Sequence, residues 1–195
     1  VFGRADLSRA PRRQAAGRVI DTPRLLLRPW HEADLGPFQT MSRDPEVMLH
    51  LGPLSGTADV TAAYERMVAL QAERGFCFWA IERKSDGSFI GFCGLKPGKP
   101  PIEGEIEIGW RLARDAWGQG FAREAAEASL AWGWANLDVP TIVAITVPPN
   151  IRSWGLMERL SMTRHPDEDF LHPDLPHDSP LRPHILYRIA RPHVV

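Results

Sequence analysis

One segment of the chain, residues 105–125, constrains the fold more than any other. It starts as an apolar strand over residues 105–112, passes through a short loop with Gly118 and Gly120, and runs directly into an alanine-rich helix. Glycine at a helix start lets the backbone approach a ligand closely, and the first N–H groups of a helix have no partner within it. The pattern predicts either a cradle for a phosphate group or a tight turn without a ligand.

Two common phosphate-binding motifs do not fit this segment. It contains no Gly-x-x-x-x-Gly-Lys-Ser/Thr, so a P-loop NTPase is disfavoured. Arg123 stands where a Gly-x-Gly-x-x-Gly motif has its third glycine, so a nicotinamide-binding Rossmann unit is disfavoured as well. The class of ligand therefore has to be inferred from the rest of the chain.

The patterns on both sides of the loop predict a mixed α/β fold. Short strands with a hairpin signal at residues 85–88 precede the loop, and a helix and a β-branched strand follow it. This order places a parallel pair inside a largely antiparallel sheet that is flanked by helices. The predicted strands are 24–29, 78–83, 89–95, 105–112, 141–147 and 184–190, and the predicted helices are 32–42, 45–51, 57–74, 122–136 and 150–160.

Length and composition predict one domain of ordinary globular type. With 195 residues, 44% hydrophobic and 24% charged, the chain is long enough for a single sizeable core and is neither disordered nor fibrous in composition. We expect the domain to cover residues 20–195. Residues 1–19 form an N-terminal extension, flexible or docked, whose five arginines do not require a transit peptide or a nucleic-acid arm.

Charge, apolar runs and thiols limit the expected partners. The formal net charge is −1 at pH 7, so no overall field attracts nucleic acid, and no apolar run has the length of a membrane-spanning helix. Cys77 and Cys93 lie within predicted strands, where buried reduced thiols are the default, and this favours the cytoplasm. The C-terminal histidines have no zinc-module spacing, so no metal is expected.

Four segments spread over about residues 20–190 share their order and spacing with one enzyme family. They are Trp117-Gly-Gln-Gly-Phe-Ala122, Thr22-Pro-Arg-Leu-Leu-Leu-Arg-Pro29, Asn150-Ile-Arg-Ser153 and His184-Ile-Leu-Tyr-Arg-Ile189. The first is similar to the acetyl-CoA pyrophosphate loop, Arg/Gln-x-x-Gly-x-Gly/Ala, of the GNAT superfamily of N-acetyltransferases. Trp117 departs from that motif in the way that is familiar in the RimJ/RimL-like branch, which the other three segments also resemble.

The resemblance implies a GNAT-like sheet that is splayed between the fourth and fifth predicted strands, 105–112 and 141–147, with acetyl-CoA in the gap. Main-chain groups of residues 110–112 would face the pantetheine, and amides of residues 118–123 the pyrophosphate, so that no metal is needed. The implied cofactor-binding residues are Trp110, Arg111, Leu112, Trp117, Gly118, Gln119, Gly120, Ala122, Arg123, Asn150 and Ser153.

Acetyl transfer to an amine requires a base, because the amine is protonated at neutral pH. Glu103, Glu105 and Glu107 recur every second residue and would share one face of a regular strand. Some GNAT relatives have a catalytic glutamate at this point, which makes Glu107 the first candidate and Glu105 the second. A solvated row of carboxylates without a catalytic role is the alternative.

The leaving thiolate benefits from a proton donor. Ser153 resembles the serine that has this role in RimL-like enzymes, and Asn150 resembles a pantetheine contact. Alternatively, the Ser153 hydroxyl satisfies local backbone at a helix start, with Asn150 as the N-cap. Tyr187, on the last predicted strand, is a second candidate acid.

The resemblance implies an acetyl-CoA-dependent N-acetyltransferase in which a primary amine attacks acetyl-CoA directly in a ternary complex. A protein N-terminal α-amine and a small-molecule amine are both open as acceptors. A catalytically silent acetyl-CoA-binding module is the alternative from another class. A homodimer is left open, and neither a nucleic acid nor a membrane is expected as a partner.

Overall fold

The computed structural model describes residues 20–53 and 55–192. The predicted N-terminal extension, residues 1–19, and His193 lie outside the described residues. The helices are α1 Leu35–Ser42, α2 Pro45–Met48, α3 Thr57–Arg74, α4 Phe121–Asn136 and α5 Ile151–Arg159, and the strands are β1 Ile20–Asp21, β2 Leu25–Arg28, β3 Phe78–Arg83, β4 Ser88–Pro97, β5 Ile106–Leu112, β6 Thr141–Thr146, β7 Thr163–Arg164, β8 Phe170–Leu171 and β9 Pro183–Ala190.

The strands form a mixed sheet in the order β1-β2-β3-β4-β5-β6-β9-β7, with β8 paired to β9. Neighbours from β1 to β5 are antiparallel, as are β6 and β9. Strands β5 and β6 run parallel and are in register at Glu107 and Val143, whereas β4 and β5 are in register from Gly91 with Leu112 to Pro97 with Ile106. The expected mixed, mostly antiparallel sheet is confirmed, and its two halves meet at a short contact.

Local sequence signals placed most helices correctly. The helix predicted over residues 57–74 has those bounds, and Gly75 follows it in the left-handed conformation with φ of 77°. The Asp44 side chain caps α2 by accepting hydrogen bonds from the N–H groups of Glu46 and Val47, at 2.8 and 3.4 Å. Strands β1, β7 and β8 were not predicted, because two-residue edge strands leave no periodic pattern.

The two faces of the sheet are covered differently. Helix α4 packs on one face so closely that a Cβ at Gly133 would lie 2.6 Å from Leu95 Cδ1. On the other face, where α1 packs, Phe78 and Phe92 stack at 5.8 Å between ring centroids, and Phe38 of α1 meets Phe92 edge-on. Strand β5 lies between these two layers.

Candidate active site

The glycine loop leads into α4 through two left-handed residues. Gly118 has φ of 73° and Gly120, the residue before the helix, has φ of 81°, a region that residues with a side chain rarely adopt. Among the described residues, no side chain caps the start of α4. A Cβ at Gly118 would meet none of their atoms within 4 Å, so they leave the space beside the loop open. The first N–H groups of α4 and this open space together suit an anion such as a phosphate.

Trp117 and Gln119 fix the shape of this loop. The indole N–H of Trp117 donates to the Leu112 carbonyl at 2.9 Å, and the Gln119 amide donates to the Asp115 carbonyl at 2.7 Å. The guanidinium of Arg152 lies over the Trp117 ring, 4.5 Å from its centroid. Trp117 therefore fastens the loop to the end of β5 and brings the first turn of α5 beside it.

Arg24, the residue before β2, supports the same loop, a role that the sequence did not reveal. Its guanidinium pairs with Glu124 at 2.6 Å and donates to the Gln119 carbonyl at 2.9 Å. Burial alone would raise the pKa of Glu124, but hydrogen bonds from Thr22 and Arg24 outweigh it and lower that pKa. An acidic residue in the first turn of α4 is thus compensated before any anion approaches the loop.

Asn150 and Ser153 lie together at the start of α5. Asn150 is the N-cap, since its side-chain oxygen accepts a hydrogen bond from the Ser153 N–H at 3.3 Å. The Asn150 side-chain amide donates to the Thr146 hydroxyl at 3.1 Å. Within residues 20–53 and 55–192 the Ser153 hydroxyl itself has no hydrogen-bond partner. The cap therefore uses the Ser153 backbone and leaves its hydroxyl available to a ligand.

Tyr187, the second candidate acid, is buried on β9. Its hydroxyl lies 3.5 Å from a carboxylate oxygen of Glu158, toward which it donates. Burial, and then the charge of Glu158, raises the pKa of Tyr187. The phenol is therefore engaged with α5, and Ser153 is the more available donor.

The three glutamates do not form one row. Strand β5 begins at Ile106, one residue later than expected, so Glu103 and Glu105 precede the strand and only Glu107 of the three lies on it. The loop before β5 folds back on itself, with the Gly98 N–H donating to the Glu105 carbonyl at 2.8 Å.

Glu105 and Glu107 bind different cations. The Glu105 carboxylate is held by Arg188 of β9 at 2.7 Å, and the Glu107 carboxylate accepts a hydrogen bond from Lys96 of β4. The Glu107 side chain is only 13% exposed and lies where β5 meets β6. Glu107 is therefore not a solvated surface carboxylate, and of the three it alone lies on β5, at the contact of that strand with β6.

The part of the chain that the structure describes offers neither a metal site nor a membrane-spanning helix. There, no group of three or more His, Cys, Asp or Glu side chains could hold a metal ion, and no helix is long and apolar enough to cross a membrane. Cys77 and Cys93 are buried and unpaired, and burial raises the pKa of each to about 12. Neither thiol is therefore an activated nucleophile.

Sequence comparison supports the expected family. Residues 24–163 match the family described as the acetyltransferase (GNAT) domain. An uncharacterized protein of Bacillus subtilis (strain 168), YkkB, is 30% identical over 142 residues, which cover 72% of this chain and 83% of YkkB. The family match over residues 24–163 spans β2 through α5, including the glycine loop.

Solved structures share the fold. An acetyltransferase from Agrobacterium tumefaciens str. C58 superposes with a TM-score of 0.72 at 27% identity, covering 88% of this chain and 94% of that one. RimL, a ribosomal L7/L12 alpha-N-protein acetyltransferase in complex with coenzyme A, superposes with a TM-score of 0.71 over 89% of this chain and 98% of that one. Its 16% identity is evidence for the fold alone. By the match of its sequence and the agreement of its fold, this chain belongs to the GNAT acetyltransferase family.

Proposed function

We propose that this protein is an acetyl-CoA-dependent N-acetyltransferase that acts on a primary amine by direct attack in a ternary complex. The observation that carries the proposal is the uncapped start of α4, where Gly118 leaves open space and Arg24 compensates Glu124. A helix start of this kind binds anions through its N–H groups without a metal.

Acetyl-CoA fits the residues around the loop. We assign the pyrophosphate to the amides of residues 118–123, among them Ala122 and Arg123, and the pantetheine to the main chain of residues 110–112. Asn150 and Ser153 complete the cofactor side from α5. When bound, acetyl-CoA supplies an acetyl group that is activated as a thioester.

Glu107 is proposed as the base. An α-amine with a pKa near 8 costs about 1 kcal/mol to deprotonate at pH 7, and a lysine-type amine about 4–5 kcal/mol. Glu107 already binds an ammonium group, that of Lys96, so an acceptor ammonium can take the same place beside its carboxylate. The Glu107 carboxylate then receives the amine proton. Glu105 is the weaker candidate because Arg188 engages both of its carboxylate oxygens, at 2.7 and 3.1 Å, whereas Lys96 engages one oxygen, Oε2, of Glu107.

Ser153 is proposed to donate its hydroxyl proton toward the departing sulfur. A thiolate has a pKa near 8.5, so this donor matters most below that pH. The unpartnered hydroxyl at the start of α5 supports the assignment.

For the acceptor, a protein N-terminal α-amine is the first candidate. RimL is an alpha-N-protein acetyltransferase, and this chain shares its fold. A small-molecule amine is the second candidate. Buried, unpaired thiols support a reducing, cytoplasmic setting for either reaction.

The test is release of coenzyme A from acetyl-CoA in the presence of a panel of N-terminal peptides and small amines. We expect at least one class to be acetylated, and its identity sets the acceptor. Acetyl-CoA that binds without turnover on any amine would mark a silent binding module. If acetyl-CoA at about a hundred times an assumed micromolar Kd does not raise the melting temperature above that with NAD or ATP, the cofactor assignment fails.

A further inference from the structure

Arg111 is a half-buried cation without a partner. It projects from β5 opposite Phe92 of β4, and its guanidinium lies 5.3 Å from the centroid of the Phe92 ring. Its Nε is buried and has no hydrogen-bond acceptor among residues 20–53 and 55–192. None of these residues makes an ion pair or hydrogen bond with the Arg111 side chain. Burial lowers the pKa of Arg111 to about 10, so the guanidinium is still charged at neutral pH.

Two other partly buried arginines are compensated. Arg28 pairs with Asp34 and Glu82 at 2.8 and 2.7 Å, and Arg188 pairs with Glu105 at 2.7 Å. Leaving a buried charge unpaired costs several kcal/mol. A position that keeps such a charge is a candidate for binding an ion of opposite sign.

The closest contrast is Lys96, which lies on the same face of the same strand pair. The Lys96 ammonium lies 5.4 Å from the centroid of the Phe78 ring, and the Arg111 guanidinium lies 5.3 Å from that of Phe92. Lys96, however, also pairs with the carboxylate of Glu107. The environment of an aromatic ring is therefore common to both cations, and the missing counterion is particular to Arg111.

Arg111 shares its face of β5 with the proposed base. Between Glu107 and Arg111 lies Gly109, where a Cβ would come within 2.6 Å of Phe78 Cζ, so the Phe78 ring covers that stretch of strand. Phe78 and Phe92 stack on each other at an interplanar angle of 9°. The face thus has a carboxylate at one end, two stacked rings along it and a guanidinium at the other end. Four residues of strand separate the end positions by about 13 Å between Cα atoms.

We propose that Arg111 binds a carboxylate carried by the acetyl acceptor, so that the acceptor is an amine with a carboxylate distant from the reacting nitrogen. The inference rests on the proposed function, because it takes Glu107 as the amine end of the site. The guanidinium fork matches a carboxylate in two parallel hydrogen bonds, and the stacked rings provide an apolar surface for the carbons between the two charges. A long-chain ω-amino acid and a peptide with an acidic side chain one or two residues after its N-terminal residue both present this chemistry.

The first test measures stability without ligand. Arg111→Met keeps an extended side chain on Phe92 and removes the uncompensated charge, so the melting temperature should rise by about 2–4 °C. The matched control, Arg28→Met, should lower the melting temperature, because it leaves Asp34 and Glu82 without their partner. A fall for Arg111→Met as large as that for Arg28→Met would show that Arg111 is structural and would overturn the proposal.

The second test uses acceptors in matched pairs, 6-aminohexanoate with 6-aminohexanamide and a peptide that has aspartate as its third residue with its asparagine counterpart. In the wild type the carboxylate member should have a kcat/KM at least about tenfold higher, an advantage that Arg111→Met removes and Arg111→Lys partly keeps. The two pairs distinguish a small acid from a peptide. Equal preference in wild type and Arg111→Met would refute the assignment.

Two binding measurements separate this inference from the proposed function. The carboxylate member of a pair should raise the melting temperature of the wild type more than the amide member does, and Arg111→Met should abolish the difference even if nothing is acetylated. Affinity for acetyl-CoA, from isothermal titration, should change less than twofold, because only the main chain of Arg111 is assigned to the cofactor. The contrary result is that Arg111→Met binds acetyl-CoA much more weakly than the wild type does, yet binds 3′-dephospho-CoA as well as the wild type. That result would assign Arg111 to a cofactor phosphate and overturn the proposal.

Discussion

The two faces of β5 carry different kinds of side chain, apolar on one face and charged on the other. Ile106, Ile108 and Leu112 face the α4 side and are at most 5% exposed. Glu107 and Arg111, on the opposite face, carry opposite charges over the stacked aromatic rings. One face follows the rule that buried positions are apolar, and the other departs from it. Departures of this kind are expected where a protein binds or reacts rather than where it is held together.

The largest expected effect is on the α4 face. Ile108→Ala should lower the free energy of unfolding by about 2–5 kcal/mol, because it removes buried methylenes and leaves a cavity beneath α4. Urea denaturation measures this loss. Gly133, whose missing side chain admits Leu95, shows how little room there is for the layer to collapse into the cavity. A loss below about 0.5 kcal/mol would mean that the face is not closely packed.

The opposite face should lose rate rather than stability. Glu107→Gln should lower kcat by about a hundredfold at neutral pH, the usual scale for losing a general base, and leave affinity for acetyl-CoA nearly unchanged. The deficit should shrink as pH approaches the pKa of the acceptor amine, because free amine then forms without help. Full activity of Glu107→Gln at every pH, together with a defect in Glu105→Gln, would move the base to Glu105.

The smallest expected effect sharpens the contrast from the α4 side. Cys93, next to Trp110 in the register of β4 and β5, contacts Ser129 of α4. With its pKa raised to about 12 by burial, its thiolate is on the order of one part in ten thousand at pH 8. An aromatic disulfide reagent should therefore label the native protein no faster than it unfolds. Rapid labelling of Cys93 with the fold intact would mean that this face opens to solvent.

Much of the fold was predictable because its signals are local. Gly75 and Asp44 mark helix ends through backbone and capping preferences that neighbouring residues do not alter. The glycine loop belongs to the same class, since the positive φ of Gly118 and Gly120 depends on their lack of a side chain.

The charge pairs of the site could not be predicted, because they depend on contacts between distant segments. Arg24 and Glu124 are 100 residues apart, and no spacing rule joins them. Lys96 meets Glu107 only through the register of β4 against β5. The same register places Arg111 on Phe92 and away from every described carboxylate. The proposed cofactor side of the site rests on local motifs that can be read in the sequence, whereas the proposed acceptor side required the structure.

The central claim is that the glycine loop binds acetyl-CoA, and isothermal titration of Gly118→Ala tests it most directly. Gly87→Ala is the matched control, because Gly87 has φ of 69° in the β3–β4 turn and, like Gly118, has no atom within 4 Å of an added Cβ. Both changes impose the same backbone strain. We predict that Gly118→Ala weakens acetyl-CoA binding at least about tenfold while Gly87→Ala changes it less than twofold. Equal affinities of the two folded variants for acetyl-CoA would contradict the claim and would show that the loop is only a structural turn.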